Sequence, residues 1–217
     1  MILNKKKYRV TFLIEKNNDW FSSYLKTFWK RNKKYFFKVS SNIKNVSNQD
    51  IVFILNNTKI ISKKNLLKNK LNLVLHSSDL PKDKGGAPLH WQVLRGKNKL
   101  SLCLFEAKEK LDSGNIYVKE RLVFNGSELY DEMREKQAQK MILIINKFLT
   151  KYPNVKSYKQ KGKSTFNRLR NTRDSELKIF KTIKDQFNLM RITDNSKYPL
   201  FFKYKKNKYI LKIFKAD

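Results

Sequence analysis

Apolar positions along the chain follow two alternating periods. Arg9–Ile14 (RVTFLI), Tyr35–Ser40, Asp50–Leu55 (DIVFIL), Asn72–His76 (NLVLH), Leu100–Ala107 and Asn115–Phe124 are short runs rich in β-branched and aromatic residues, and each reads as a strand. Between them the apolar positions recur at helical spacing. Asp19–Lys33 carries Trp20, Phe21, Tyr24, Leu25, Phe28 and Trp29 as one stripe. Lys63–Lys70 reads as a short helix, and Pro88–Arg95 starts a third with proline at an early helical position. Ser127–Lys151 is the longest helical pattern, with a Ser cap and Glu128 in its first turn. Strands alternating with helices predict an α/β fold with a mostly parallel sheet and helices on both faces.

The pattern changes after Tyr152-Pro153. Residues 154–172 are polar and basic, with Gly162 and no hydrophobic period, which predicts a linker or extended arm. Asp174–Asn188 then reads as a small helix, and Phe201–Phe214 as a β-hairpin turning near Lys206-Asn207. The expected organisation is a catalytic domain over 1–152, followed by a linker and a small α+β appendage over 153–217.

Charge adds to this picture without deciding it. The net charge is +31, from 49 Lys and Arg against 18 Asp and Glu, a field that attracts anions. It divides into 40 Lys and only 9 Arg, beside 22 Asn. Such Lys-rich, Asn-rich usage spread over every segment reads as a compositional bias, whereas specific phosphate and base readers favour Arg. Background charge and a functional basic surface both remain open, and either steers anionic substrates inward. The single cysteine, Cys103, lies inside an apolar run and has no partner at metal spacing, so it reads as a buried thiol, and no metal is implied. No apolar stretch approaches the ~20 residues of a membrane span, and the basic N-terminus does not read as a signal peptide. The expected location is cytoplasmic, with no membrane partner.

Candidate chemistry concentrates in one window. Both histidines, His76 and His90, fall within the sixteen residues His76-Ser-Ser-Asp-Leu-Pro-Lys-Asp-Lys-Gly-Gly-Ala-Pro-Leu-His-Trp91. Two of the four prolines and two of the six glycines are there too. In a parallel α/β sheet the active site lies beyond the carboxyl ends of the strands, and His76 ends a predicted strand with a restricted loop behind it.

The ordered set His76-Ser-Ser-Asp-Leu-Pro, Gly86-Ala-Pro-Leu-His-Trp and Leu111-Asp112-Ser-Gly114-Asn-Ile-Tyr resembles the folate-dependent formyltransferase family. The resemblance covers roughly residues 50–150 well and the remainder loosely. It implies a Rossmann-like formyltransferase fold and 10-formyl-tetrahydrofolate as co-substrate. His76 and Asp112 are then catalytic: His76 takes a proton or assists the oxyanion, and Asp112 orients it. Asp before Gly114 also suits a turn. The resemblance further implies folate contacts from Asn56, Lys59, Ile60 and Ile61 on one loop and from Phe105, Ala107 and Leu111 on the other wall.

One position departs from the family. The family has an Asn two residues before the histidine, and here that residue is Val74. Asn72 lies two residues further back, on the same strand face but about 6.6 Å away, too far to substitute. His76, a loop N–H, Ser77 or Ser78 is left to hold the oxyanion.

The tail, with Arg191, Tyr198-Pro199 and a hairpin, resembles that of short sugar-nucleotide N-formyltransferases, as do Asp79 and Asn17-Asn-Asp-Trp20. It is also short for the β-barrel domain of methionyl-tRNA formyltransferases. The expected acceptor is therefore a nucleotide-linked amino sugar. Trp20, Ser77, Ser78, Lys82, Gly86, Trp91 and Arg191 are the candidate substrate contacts, with Lys84 a further cation nearby. A homodimer is compatible with this reading. The rivals are a methionyl-tRNA formyltransferase, a formyl-folate hydrolase and a nucleic-acid-binding module; the last leaves the His76-to-Asp112 pattern unexplained.

Overall fold

The computed structural model describes residues 7–16 and 20–216. Six runs of extended chain form the main sheet: β1 (Tyr8–Ile14), β2 (Tyr35–Ser40), β3 (Ile51–Leu55), β4 (Asn72–His76), β6 (Lys99–Glu106) and β7 (Ile116–Val123), in the order β2-β1-β3-β4-β6-β7. The first four run parallel, whereas β6 pairs antiparallel with β4 and β7 antiparallel with β6. β3 reads as a continuous apolar run because it is buried on both faces, as a central parallel strand must be.

Alternate residues of these strands feed two cores. On one face Val10, Phe12, Ile51, Phe53, Leu73, Leu102 and Leu104 pack under α1 (Ser22–Arg31), α3 (Pro88–Leu94) and α4 (Tyr130–Lys151). On the other face Leu13, Val52 and Ile54 pack with Val46, Ile61, Leu66 of the short helix α2 (Lys63–Leu66), Val74 and Ala107. Cys103, Phe105, Ile116 and Leu80 continue this second face toward β7. Cys103 is buried there, as its apolar run predicts. No helix among the described residues is long and apolar enough to cross a membrane.

The long helix begins later than its predicted Ser cap. Ser127 instead closes a turn with Asn125, and α4 starts at Tyr130, with the Glu132 carboxylate accepting the Leu129 N–H at 2.7 Å. Glu128 therefore precedes the helix. Its buried carboxylate accepts the Asn125 and Gly126 N–H groups and pairs with Lys136 and Arg191.

The C-terminal region also differs in detail. The helix expected over Asp174–Asn188 is α5 (Ile183–Arg191), because Thr182 caps it by accepting the Asp185 N–H. The hairpin is β9 (Leu200–Tyr204) and β10 (Asn207–Leu211), with its turn at Lys205-Lys206, one residue before the expected position. Residues 153–172 run as an extended arm back over the main body. Tyr158 bridges Ile116, and β8 (Phe166–Asn167) pairs parallel with β5 (Lys84–Gly85).

Candidate active site

His76 ends β4, and its register partner Cys103 puts its side chain on the face shared by Val74 and Phe105. The Phe105 ring meets the imidazole edge-on at 6.3 Å. The Nε2 atom of His76 lies 3.0 Å from the Asp83 carbonyl oxygen and 3.7 Å from Asp112 Oδ2. A carbonyl oxygen can only accept, so the ring proton sits on Nε2 and the Nδ1 lone pair is left to take a proton. Both His76 and Asp112 are about nine-tenths buried, which raises the strength of their interaction above that in water.

Two loops hold this pair. Asp112 takes a left-handed backbone (φ 46°), and its Oδ2 accepts the Gly85 N–H at 2.8 Å. Gly114 makes the turn close: a Cβ there would lie 1.8 Å from the Glu106 carbonyl oxygen. Gln160 of the arm donates to both the Asp112 and Gly114 carbonyls at 2.9 Å. The His76 side of the site is anchored by the arm as well. The Asp83 N–H donates to Thr165 Oγ1, the Lys84 N–H to the Thr165 carbonyl, and the Gly86 N–H to the Asn167 carbonyl. Asp83 also accepts from Asn167 Nδ2 and pairs with Arg95. A Cβ at Gly85 would lie 2.4 Å from the Asn167 oxygen, so the glycine pair is what lets the arm approach.

The folate wall named from sequence is brought together in part. Ile61 and Ala107 converge with Val74 on the sheet face that carries His76, while Lys59, Ile60 and Leu111 stand exposed beside them. Asn56 takes a left-handed backbone at the start of the loop after β3. Phe105 corrects the expectation. Its side chain is buried, backing His76 instead of lining a wall, because its register opposite Val74 places it in the core. The Asn72 side chain is engaged away from His76: its Nδ2 donates to the Leu66 carbonyl at 2.8 Å.

Several of the expected acceptor contacts are engaged within the protein itself. Arg191 is 1% exposed, its guanidinium bonded to Glu128, Asn98 and Asn188, so it ties α5 to the main body instead of meeting substrate. Ser77 Oγ accepts from Gln137 Nε2 at 2.8 Å, and the Ser77 carbonyl accepts from Gln92, so that residue braces α3 and α4. Ser78 is fully buried, and its Oγ has no hydrogen-bond partner among the described residues. Gly86 is covered by Leu169 of the arm. Trp91 donates its indole N–H to the Arg168 carbonyl, with the Arg168 guanidinium 4.8 Å over its ring. Lys84 is buried beside Phe166. Lys82 stands exposed, and Trp20 is half-buried at the carboxyl edge of the sheet. The Asn17–Asp19 part of the Trp20 loop lies outside the described residues.

Sequence reasoning missed Asp83, Gln160, Thr165 and Asn167. The Gly85-Gly86 pair was the one available signal, since adjacent glycines mark a close backbone approach.

A buried His–Asp pair at the carboxyl end of a parallel strand, with a free ring nitrogen and apolar walls, has the parts needed to take and return a proton. The sequence model of the formyl transferase family matches residues 1–147, and the chain belongs to that family of enzymes. Among curated relatives, methionyl-tRNA formyltransferase of Malacoplasma penetrans is 27% identical over 122 residues, covering 54% of this chain and 38% of the relative. The chain thus spans about two-fifths of that relative's length. Among solved structures, methionyl-tRNA formyltransferase from Clostridium thermocellum superposes with a TM-score of 0.81 at 22% identity, over 98% of this chain and 94% of the other. A 4-N formyltransferase from Francisella tularensis superposes with a TM-score of 0.73 at 14% identity, over 97% and 98%.

Proposed function

We propose that this protein transfers a formyl group from 10-formyl-tetrahydrofolate to the primary amine of a nucleotide-linked amino sugar. The observation that carries formyl transfer is the His76–Asp112 pair, 3.7 Å apart and buried at the end of β4 in a chain of this family. The transfer joins the amine nitrogen to the formyl carbon, breaks the bond to N10 of the donor, and moves one amine proton to that nitrogen. His76 Nδ1 accepts the amine proton, and Asp112 stabilises the imidazolium that forms. The apolar face of Ile61, Val74 and Ala107, flanked by Ile60 and Leu111, suits a flat ring beside His76.

Val74 offers no polar group to the developing oxyanion, so that charge falls to the imidazolium and to loop N–H groups. The sugar acceptor is supported by the Francisella 4-N formyltransferase, which matches this chain along nearly the whole of both, although the Clostridium structure does so as well. A methionyl-tRNA acceptor is the second reading, favoured by the curated relatives and by the Clostridium structure.

The test supplies formyl donor with a panel of UDP-, dTDP- and GDP-linked amino sugars and with charged initiator tRNA, and reads products by mass spectrometry. Gain of one formyl group on an amino-sugar nucleotide is the expected result. Formylation of the tRNA alone replaces the sugar reading by the second one.

A further inference from the structure

Three basic side chains gather on the α4 side of the sheet's carboxyl edge, outside the His76–Asp112 pair. The Arg134 guanidinium lies 4.7 Å from the Trp20 ring centre and 4.9 Å from that of Tyr130. The ring of His90 lies 6.1 Å from Tyr130. Arg170 comes from the arm and donates to the Asp174 carbonyl at 2.9 Å. Its charge acts on Tyr130 and on His90. Burial, then the positive charges of Arg134 and Arg170, push the His90 pKa well below its usual value.

The Nε atoms of Arg134 and Arg170 are both buried, and neither has a hydrogen-bond partner among the described residues. The carboxylate of Asp174 is taken by both terminal nitrogens of Arg168. Arg134 does find one partner, Gln137 Oε1 at 2.9 Å, and Gln137 in turn binds Ser77, the neighbour of His76. Buried guanidinium N–H groups without acceptors cost free energy that an anion would recover. Arginine forks from two elements suit the several oxygens of a phosphate better than they suit a single carbonyl.

We propose that Arg134, Arg170 and His90 form an anion subsite that holds the phosphates of the acceptor while its amine lies at His76. This rests on the acceptor reading above in assigning the phosphates to a sugar nucleotide. Of the cations expected from the sequence, Arg191 and Lys84 are buried elsewhere and Lys82 stands exposed, whereas this cluster is half-exposed and joined to the end of β4 through Gln137 and Ser77. Trp20 carries Arg134 on one side of its ring, which fixes the guanidinium in place.

The test titrates wild-type protein with inorganic pyrophosphate, dTDP, UDP, GDP and the matching nucleosides by calorimetry, then repeats this with Arg134→Lys, Arg134→Gln and Arg170→Gln. Wild type binds pyrophosphate and at least one diphosphate more tightly than its nucleoside. Each Gln variant weakens the diphosphate by about tenfold to hundredfold, as expected for a lost charge-assisted hydrogen bond. Nucleoside affinity stays the same. Arg170→Gln changes a side chain on the surface arm, so it keeps the test sound if Arg134→Gln unfolds. No binding of any phosphate probe to wild type overturns the subsite, as does unchanged diphosphate affinity in Arg170→Gln. Formylation of an amino-sugar nucleotide with unaltered KM in Arg170→Gln removes the subsite and leaves the acceptor reading standing. Arginine-dependent pyrophosphate binding without formylation of any amino sugar does the reverse.

Discussion

Replacing Asp112 by Asn tests the proposed chemistry with little change of shape. The amide oxygen can still accept the Gly85 N–H, which Asp112 Oδ2 now takes at 2.8 Å. The Gln160 bonds go to main-chain carbonyls and are untouched. What disappears is a negative charge 3.7 Å from His76 Nε2. Between unit charges at that separation the interaction is about 1 kcal/mol with water-like screening and about 4 kcal/mol at an effective dielectric of 20. The pair is about nine-tenths buried, so the value falls toward the upper figure. The stabilisation applies only once His76 has taken the amine proton, so it appears in the rate and not in donor binding. Asp112→Asn is therefore expected to lower kcat by roughly tenfold to a thousandfold. The KM for the formyl donor and the melting temperature should stay near wild type. Rates come from formyl-transfer assays under saturating donor, and stability from calorimetry. Turnover within twofold of wild type, in a variant that melts normally, would refute a charge-stabilised imidazolium.

Three further outcomes follow from the geometry. Gly114→Ala forces a Cβ against the Glu106 carbonyl, 1.8 Å away before relaxation, and opens the Asp112 turn. It should cost about 3 kcal/mol and lower Tm by about 6–12 °C, with activity falling in parallel. Arg191→Met breaks a buried pair and leaves Glu128 with Lys136 and the Asn125 and Gly126 N–H groups, while the Glu128 carbonyl, Asn98 and Asn188 lose their guanidinium donor, so calorimetry should show a loss of about 3 kcal/mol. The acceptor KM in folded Arg191→Met should not move, and a large KM rise would return Arg191 to the substrate site. Burial by itself would raise the Glu128 pKa, but the Lys136 bond and the Asn125 and Gly126 N–H groups outweigh it and hold it at about 2. The folded value is depressed, so this stabilisation, roughly 3 kcal/mol, is complete above about pH 4.5 and is lost as pH falls through about 2. Glu128→Gln should flatten the acid limb of a stability–pH curve, and an unchanged limb would show that other carboxylates govern it.

Much of the protein follows from local pattern alone. The apolar runs that became β1, β3, β4, β6 and β7 were legible because a strand buried on one or both faces must be written in β-branched and aromatic residues. His76 at a strand end, and Asp112 followed by Gly114, pointed to the site for equally local reasons. Only the tertiary structure decided which way β6 and β7 run, which depends on how the chain after α3 returns and not on any residue within those strands. It also decided the role of the arm. That segment has no hydrophobic period because its bonds to Asp83, Lys84 and Gly86 run mainly through the backbone, which leaves almost no trace in side-chain pattern. Charge was the least legible feature. A guanidinium reads the same in sequence whether Glu128 neutralises it in the core, as at Arg191, or its buried Nε finds no acceptor among the described residues, as at Arg134, because long-range pairing sets its energy and the chain order does not.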